Sequence, residues 1–150
     1  MPIGEICSRE VYYANRDATV QEGAELMRKH HVGDLVIADE KDGNRRVPVG
    51  IVTDRDIVIS VTALKLDPTV ITLGDIMGLE LITAQEDQGI AEVVEIMKMK
   101  GVRRVPIVDH DGYLTGILSS DDVAELLAGE LSDLAALVSR QRWKEERTKR

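Results

Sequence analysis

Gly50-Ile51-Val52-Thr53-Asp54-Arg55-Asp56 and Gly116-Ile117-Leu118-Ser119-Ser120-Asp121-Asp122 are two versions of one phrase. Each runs glycine, two apolar residues, a hydroxyl residue, two free positions and an aspartate. Apolar residues ahead of a hydroxyl, with an acid three positions later, read as a strand handing over to a helix. Finding the phrase twice points to a repeat that extends over the whole chain.

Working outward confirms it. A shift of 70 positions lays Gly4–Asp39 on Gly74–Asp109 and gives identities that include Gly4/Gly74, Glu10/Glu80, Ala14/Ala84, Met27/Met97, Val32/Val102 and Ile37/Ile107. The register then slips by four residues, because the first copy has the longer polar turn from Glu40 to Arg46. Hairpin loops tolerate such insertions. Each copy opens on a Gly-acid-Ile turn (Gly4-Glu5-Ile6, Gly74-Asp75-Ile76) and a short extended segment (Val11–Tyr13, Leu81–Thr83). Apolar residues at spacings of three and four then predict a helix: Val20, Ala24, Met27 and His31, and Ile90, Val93, Val94 and Met97. Two strands follow, and Asp111-Gly112 marks a tight turn in the second pair. A helix closes each copy, from about Asp54 and about Asp121. The fold class is α+β, with the order β-α-β-β-α occurring twice.

The domain reading is a first unit at 1–62, a linker at 63–73 containing the helix stop Asp67-Pro68, a second unit at 74–128, and a C-terminal helix with a basic tail at 129–150. Leu127, Leu131, Leu134 and Val138 form an apolar stripe on that last helix, with Gly129 as a candidate kink or break.

Composition bounds the function. The 150 residues carry a net charge of −8, which argues against a nucleic-acid partner, since counterion release needs basic faces. Residues 140–150 run the other way, with six basic residues against Glu145 and Glu146. Aromatic residues make up 3%, so the core is aliphatic. The single Cys7 permits no internal disulfide. With no apolar run near ~20 residues and no basic-then-apolar leader, the expected location is the cytoplasm, with no membrane partner.

At this point the sequence resembles the CBS (cystathionine β-synthase) domains. Gly101-Val102-Arg103-Arg104-Val105-Pro106-Ile107-Val108-Asp109 is similar to that family's second-strand motif, and the two opening phrases are similar to its third-strand motif. The resemblance implies a pair of units packed through their sheets with approximate two-fold symmetry, and clefts between them for an adenosyl ligand: AMP, ADP or ATP, with NAD or S-adenosylmethionine as further candidates. It also implies a homodimer shaped as a flat disc and regulation of some other protein. Its base-contacting strands would supply Ile82, Thr83, Val105 and Pro106, with Tyr12-Tyr13 and Leu35-Val36 at the matching places.

The residues themselves support two readings of Thr53-x-x-Asp56 and Ser119-x-x-Asp122. One is a helix cap. The other uses the helix N-terminus and hydroxyl for a phosphate, and the carboxylate for the vicinal hydroxyls of a ribose. Arg103 and Arg104 replace Gly33 and Asp34, so the cleft served by the second copy is expected to hold phosphates better, with Arg55 as the first copy's counterpart. No catalytic arrangement is legible, because Cys7 and His110 lack partners and no Gly-rich phosphate loop exists. His30 and His31 are adjacent and cannot face one side of a helix to share a metal. The acids Asp54, Asp56, Asp121 and Asp122 belong to different halves, and a metal there would arrive with ATP phosphates. The expectation is a nucleotide-sensing module without enzymatic activity. The alternative is a dimerisation module with empty clefts, assembled through Asp54–Leu66 and Ala124–Val138.

Overall fold

The computed structural model describes residues 1–148. Two three-stranded sheets repeat one design. In the first half, β1 (Tyr13–Ala14) leads to α1 (Val20–His30), the hairpin β2 (Asp34–Lys41) and β3 (Arg45–Thr53), and α2 (Asp54–Ile57), which continues as a π turn over Val58–Thr62. After α3 (Leu73–Ile76), the second half has β4 (Ala84–Gln85), α4 (Ile90–Lys100), β5 (Arg104–Val108), β6 (Leu114–Ser119) and α5 (Ser120–Thr148).

The repeat holds down to single pairs. Tyr13 lies opposite Val36 and Ala14 opposite Ile37 in one sheet, and Ala84 lies opposite Ile107 in the other. Both hairpins carry their irregularity at the same place, Ile37/Ala38 and Ile107/Val108. The chain leaves α1 at His31 (φ 54°) and α4 at Gly101 (φ 66°), both left-handed. That conformation is easy for glycine and less so for histidine.

Strand side chains alternate between faces. Leu35, Ile37 and Val52 join Val20, Met27 and Leu73 in one aliphatic core, and Val105, Ile107 and Leu118 join Val93, Met97 and Ile3 in the other. The alternate residues Val36 and Pro106 are buried too, on the opposite faces, where β3 and β6 lie against each other.

The halves exchange their leading turns. Ile3 fills the core of the second half and Leu73 that of the first. Backbone bonds hold them there: Ile3 N–H donates to Gln88 O (2.9 Å) and Leu73 N–H to Ala18 O (2.8 Å). Glycine is required at the contacts, since a Cβ on Gly74 would lie 2.8 Å from Arg16 O and one on Gly4 3.0 Å from Glu86 Cβ. Each Gly-acid-Ile turn therefore belongs, in space, to the other copy.

Three local expectations change. Strand pairing starts at Tyr13 and Ala84, so Val11, Tyr12 and the whole of Leu81–Thr83 precede the ladder. The helix from Asp54 ends at Thr62, not Leu66, and Lys65 (φ 57°) turns the chain. Gly129 does not break α5, which is one helix of 29 residues. A helical glycine costs about 1 kcal/mol, too little to stop a helix with Ala and Leu around it.

Candidate ligand-binding cleft

Thr53 and Ser119 end β3 and β6 and cap the helices that follow. Thr53 Oγ1 accepts from Asp56 N (3.1 Å), and Asp56 Oδ2 accepts from Thr53 N (2.9 Å). Ser119 and Asp122 repeat this at 3.1 and 3.0 Å. Both are capping boxes built with the shorter acid. The same device starts α1 (Thr19, Glu22) and α3 (Thr72, Asp75), so the motif is first of all a helix start.

The remaining N–H groups of α2 are also used. Asp54 N–H donates to Gly33 O (2.9 Å) and Arg55 N–H to Asp54 Oδ1 (2.8 Å). The phosphate position expected at this helix terminus is therefore closed by the protein's own acceptors. The second carboxylate oxygen of Asp56 has no protein donor among the described residues.

A cavity of about 420 Å³ opens beside Asp56. Ile51, Thr53 and Asp56 line it from the first half, and Glu80, Leu81, Ile82, Val102, Arg103 and Arg104 from the second, with Gly78 and Gly101. Arg103 and Arg104 thus share a cavity with Asp56 of the first copy, across the boundary, and Asp122 is not in its lining. Arg104 Nε lies 3.3 Å from Asp34 Oδ2, a half-buried ion pair between positions that correspond in the repeat. Burial pushes the Asp34 carboxyl above its ordinary range, Arg104 pulls it back and Asp54 adds to the rise. Arg103 is exposed and only loosely paired, 3.8 Å from Asp121. Glu80 is held by Lys100 at 2.8 Å.

The sequence pattern that defines the CBS domain matches residues 3–62 and 73–129. The chain belongs to the CBS domain family. An uncharacterized Methanopyrus kandleri protein, MK0525, is 40% identical over 124 residues, which are 83% of this chain and 61% of that protein. Among solved CBS structures, Hypoxic Response Protein I, with two coordinated zinc ions, superposes with a TM-score of 0.73 at 30% identity, covering 83% of this chain and 98% of that one. The CBS pair of protein MJ0100, in complex with 5′-methylthioadenosine and S-adenosyl-L-methionine, gives 0.72 at 30%, covering 87% and 98%. PAE2072 from Pyrobaculum aerophilum, complexed with AMP, gives 0.72 at 27%, covering 81% and 89%.

Not every residue singled out on the sequence reaches the CBS cleft just described. Thr53, Asp56, Ile82, Arg103 and Arg104 meet in it. Arg55 is exposed and outside its lining. Val105 is core, fully buried among Ile107 and Leu118, and Pro106 is buried in β5 beside Ile117. Thr83 faces another depression with Gln85 and Asp87. Tyr13 lies under the Arg46 guanidinium (3.9 Å) beside a polar cavity with Arg45 and Tyr113. Tyr12 stacks on His30 at 4.1 Å and donates to Glu10 Oε1 at 2.6 Å. Ser119 and Asp122 occupy the corresponding place in the other half, outside the Asp56 cavity.

Glu80, Leu81 and Val102 were missed as lining residues. The identities Glu10/Glu80 and Val32/Val102 were the available signal. The Asp34–Arg104 pair was also legible in principle, as a charge reversal at matching repeat positions. Among the described residues no group of three metal-ligating side chains occurs, and no helix is long and apolar enough to cross a membrane. Burial raises the Cys7 thiol pKa.

Proposed function

We propose that the cavity between the halves binds an adenine nucleotide or related adenosyl ligand, and that the chain is a regulatory sensor without catalysis of its own. One observation carries this reading: Asp56, two arginines and the apolar side chains of Leu81 and Ile82 line a single cavity. Each part suits a part of the ligand. An ionised carboxylate is acceptor-only and matches a ribose diol. Arginines match phosphates with charge-assisted, often bidentate bonds. An apolar wall takes a purine face. The volume lies within the range of small-molecule sites, roughly 300–1,000 Å³. AMP in PAE2072, and methylthioadenosine with S-adenosylmethionine in MJ0100, support the adenosyl class. Phosphate ligands (AMP, ADP, ATP) fit the arginines better than S-adenosylmethionine does, and NAD shares their phosphates.

The cavity is built from both halves, so a ligand bridges them. Its affinity then differs between arrangements of the halves, and that difference is what a regulated partner would read. Thermal-shift measurements against AMP, ADP, ATP, NAD and S-adenosylmethionine test the proposal. A ligand at 100 times its Kd stabilises by about 2.7 kcal/mol. Absence of a shift with all five would leave the dimerisation module as the function.

A further inference from the structure

We propose that α5 pairs antiparallel with α5 of a second copy of this chain, through a seam centred between Leu131 and Leu134. The helix is about 43 Å long, and four apolar residues along one side of it are strongly exposed: Leu127 (53%), Leu131 (67%), Leu134 (58%) and Val138 (50%). Their spacing of four, three and four is the a/d repeat of a coiled coil, and at about 100° per residue they share a stripe roughly 60° wide. Such a stripe in water calls for a cover.

Charge selects the occupant and its direction. Over Asp121–Asp133 α5 carries five acids (Asp121, Asp122, Glu125, Glu130, Asp133) and no base, and over Arg140–Arg147 four bases against Glu145 and Glu146. A parallel partner would set acid on acid and base on base. An antiparallel second copy sets Leu127 against Val138 and Leu131 against Leu134, and brings Asp121 of each chain to Arg142 of the other. The same register puts Ala128 opposite Ala135, small residues that let the two backbones approach closely. Most of the seam lies beyond residue 129, where the CBS pattern stops, so this assembly element belongs to the chain's own extension. It is independent of the ligand proposal, and the Leu131→Asp/Leu134→Asp variant should bind nucleotide as wild type does.

The test is size-exclusion chromatography with light scattering on the full chain. Wild type should be a dimer at 50 µM. Leu131→Asp/Leu134→Asp should be a monomer with an unchanged thermal transition of the body, since both side chains are exposed. Orientation is read by oxidative cross-linking on a Cys7→Ser background. Leu127→Cys/Val138→Cys should link chains efficiently and Leu127→Cys alone should not. Arg142→Asp should weaken association about 5- to 10-fold, and adding Asp121→Arg should restore it. A monomeric wild type, a dimer that survives the double Asp variant, or efficient self-linking of Leu127→Cys would each overturn the proposal. Binding of a monomeric wild type to anionic lipid vesicles would give the face to a membrane instead.

Discussion

The surroundings of Asp56 and of Asp122 are built on the same frame and differ in chemistry. Thr53 and Asp56 match Ser119 and Asp122 in residue type, cap geometry and distance. Around them the matching positions diverge: Ile82 against Tyr12, Gly101 against His31, Arg103 against Gly33, Arg104 against Asp34. On one side two cations and aliphatic side chains share a cavity with the carboxylate. On the other, a tyrosine already committed to Glu10 and His30 stands with a further acid. The capped helix starts are structural necessities of the fold and must be alike in both halves. Side chains that face the gap are under no such constraint, and there one half has become cationic and the other acidic.

The largest expected effect separates the two acids. Asp56→Asn should weaken adenosyl-ligand binding roughly 10- to 100-fold, the cost of a charge-assisted bond of about 1.5–3 kcal/mol. Asp122→Asn should change the same calorimetric titration far less. Asn can still accept from the Thr53 N–H, so the melting temperature of the empty protein should barely move. Equal losses from the two variants would make the clefts equivalent and break the comparison.

The arginines come next. Arg103→Ala/Arg104→Ala should lower ATP affinity about 10-fold, equivalent to ~1.4 kcal/mol, and leave adenosine nearly untouched. The triple variant that adds Asp56→Asn should behave as a disturbance of one site, and additivity across two independent sites would assign the arginines to Asp122 instead.

Packing around the exchanged turns offers a third contrast. A Cβ on Gly116 would meet Cys7 Sγ at 2.8 Å and backbone Ser8 O at 2.9 Å, whereas one on Gly50 would meet mainly the flexible Met77, Sδ at 2.7 Å. Gly116→Ala should destabilise by about 1–3 kcal/mol, and Gly50→Ala by less, in urea unfolding.

The smallest effect concerns Asp34. Asp34→Asn releases Arg104 and should strengthen ATP binding a few-fold without helping adenosine. Its pH signature has a fixed sign. The folded carboxyl is held above its ordinary value by burial, so ionising it costs the folded state more than the unfolded chain. Wild type should lose stability relative to Asp34→Asn as pH rises from the ordinary carboxylate value through the raised one. The two should run in parallel below that window. A gap that widens towards low pH would mean that the ion pair with Arg104 dominates burial.

Much of this was legible without coordinates. The 70-position register gave the two β-α-β-β-α units, Asp111-Gly112 gave its turn, and the hydroxyl-x-x-Asp phrase gave the helix starts. These depend on interactions a few residues apart, and such interactions are written in spacing. The residues that could touch an anion were also visible, because charge is a property of the side chain alone. Tertiary structure decided which of them meet. It carried Ile3 and Leu73 into each other's cores, brought Arg103 and Arg104 into one cavity with Asp56, joined Asp34 to Arg104, and used up the N–H groups of α2 that a phosphate was expected to take. Those outcomes follow from how two halves close over the most apolar surface while backbone donors and acceptors taken from water find partners. That is a balance over the whole chain, and no stretch of sequence contains it.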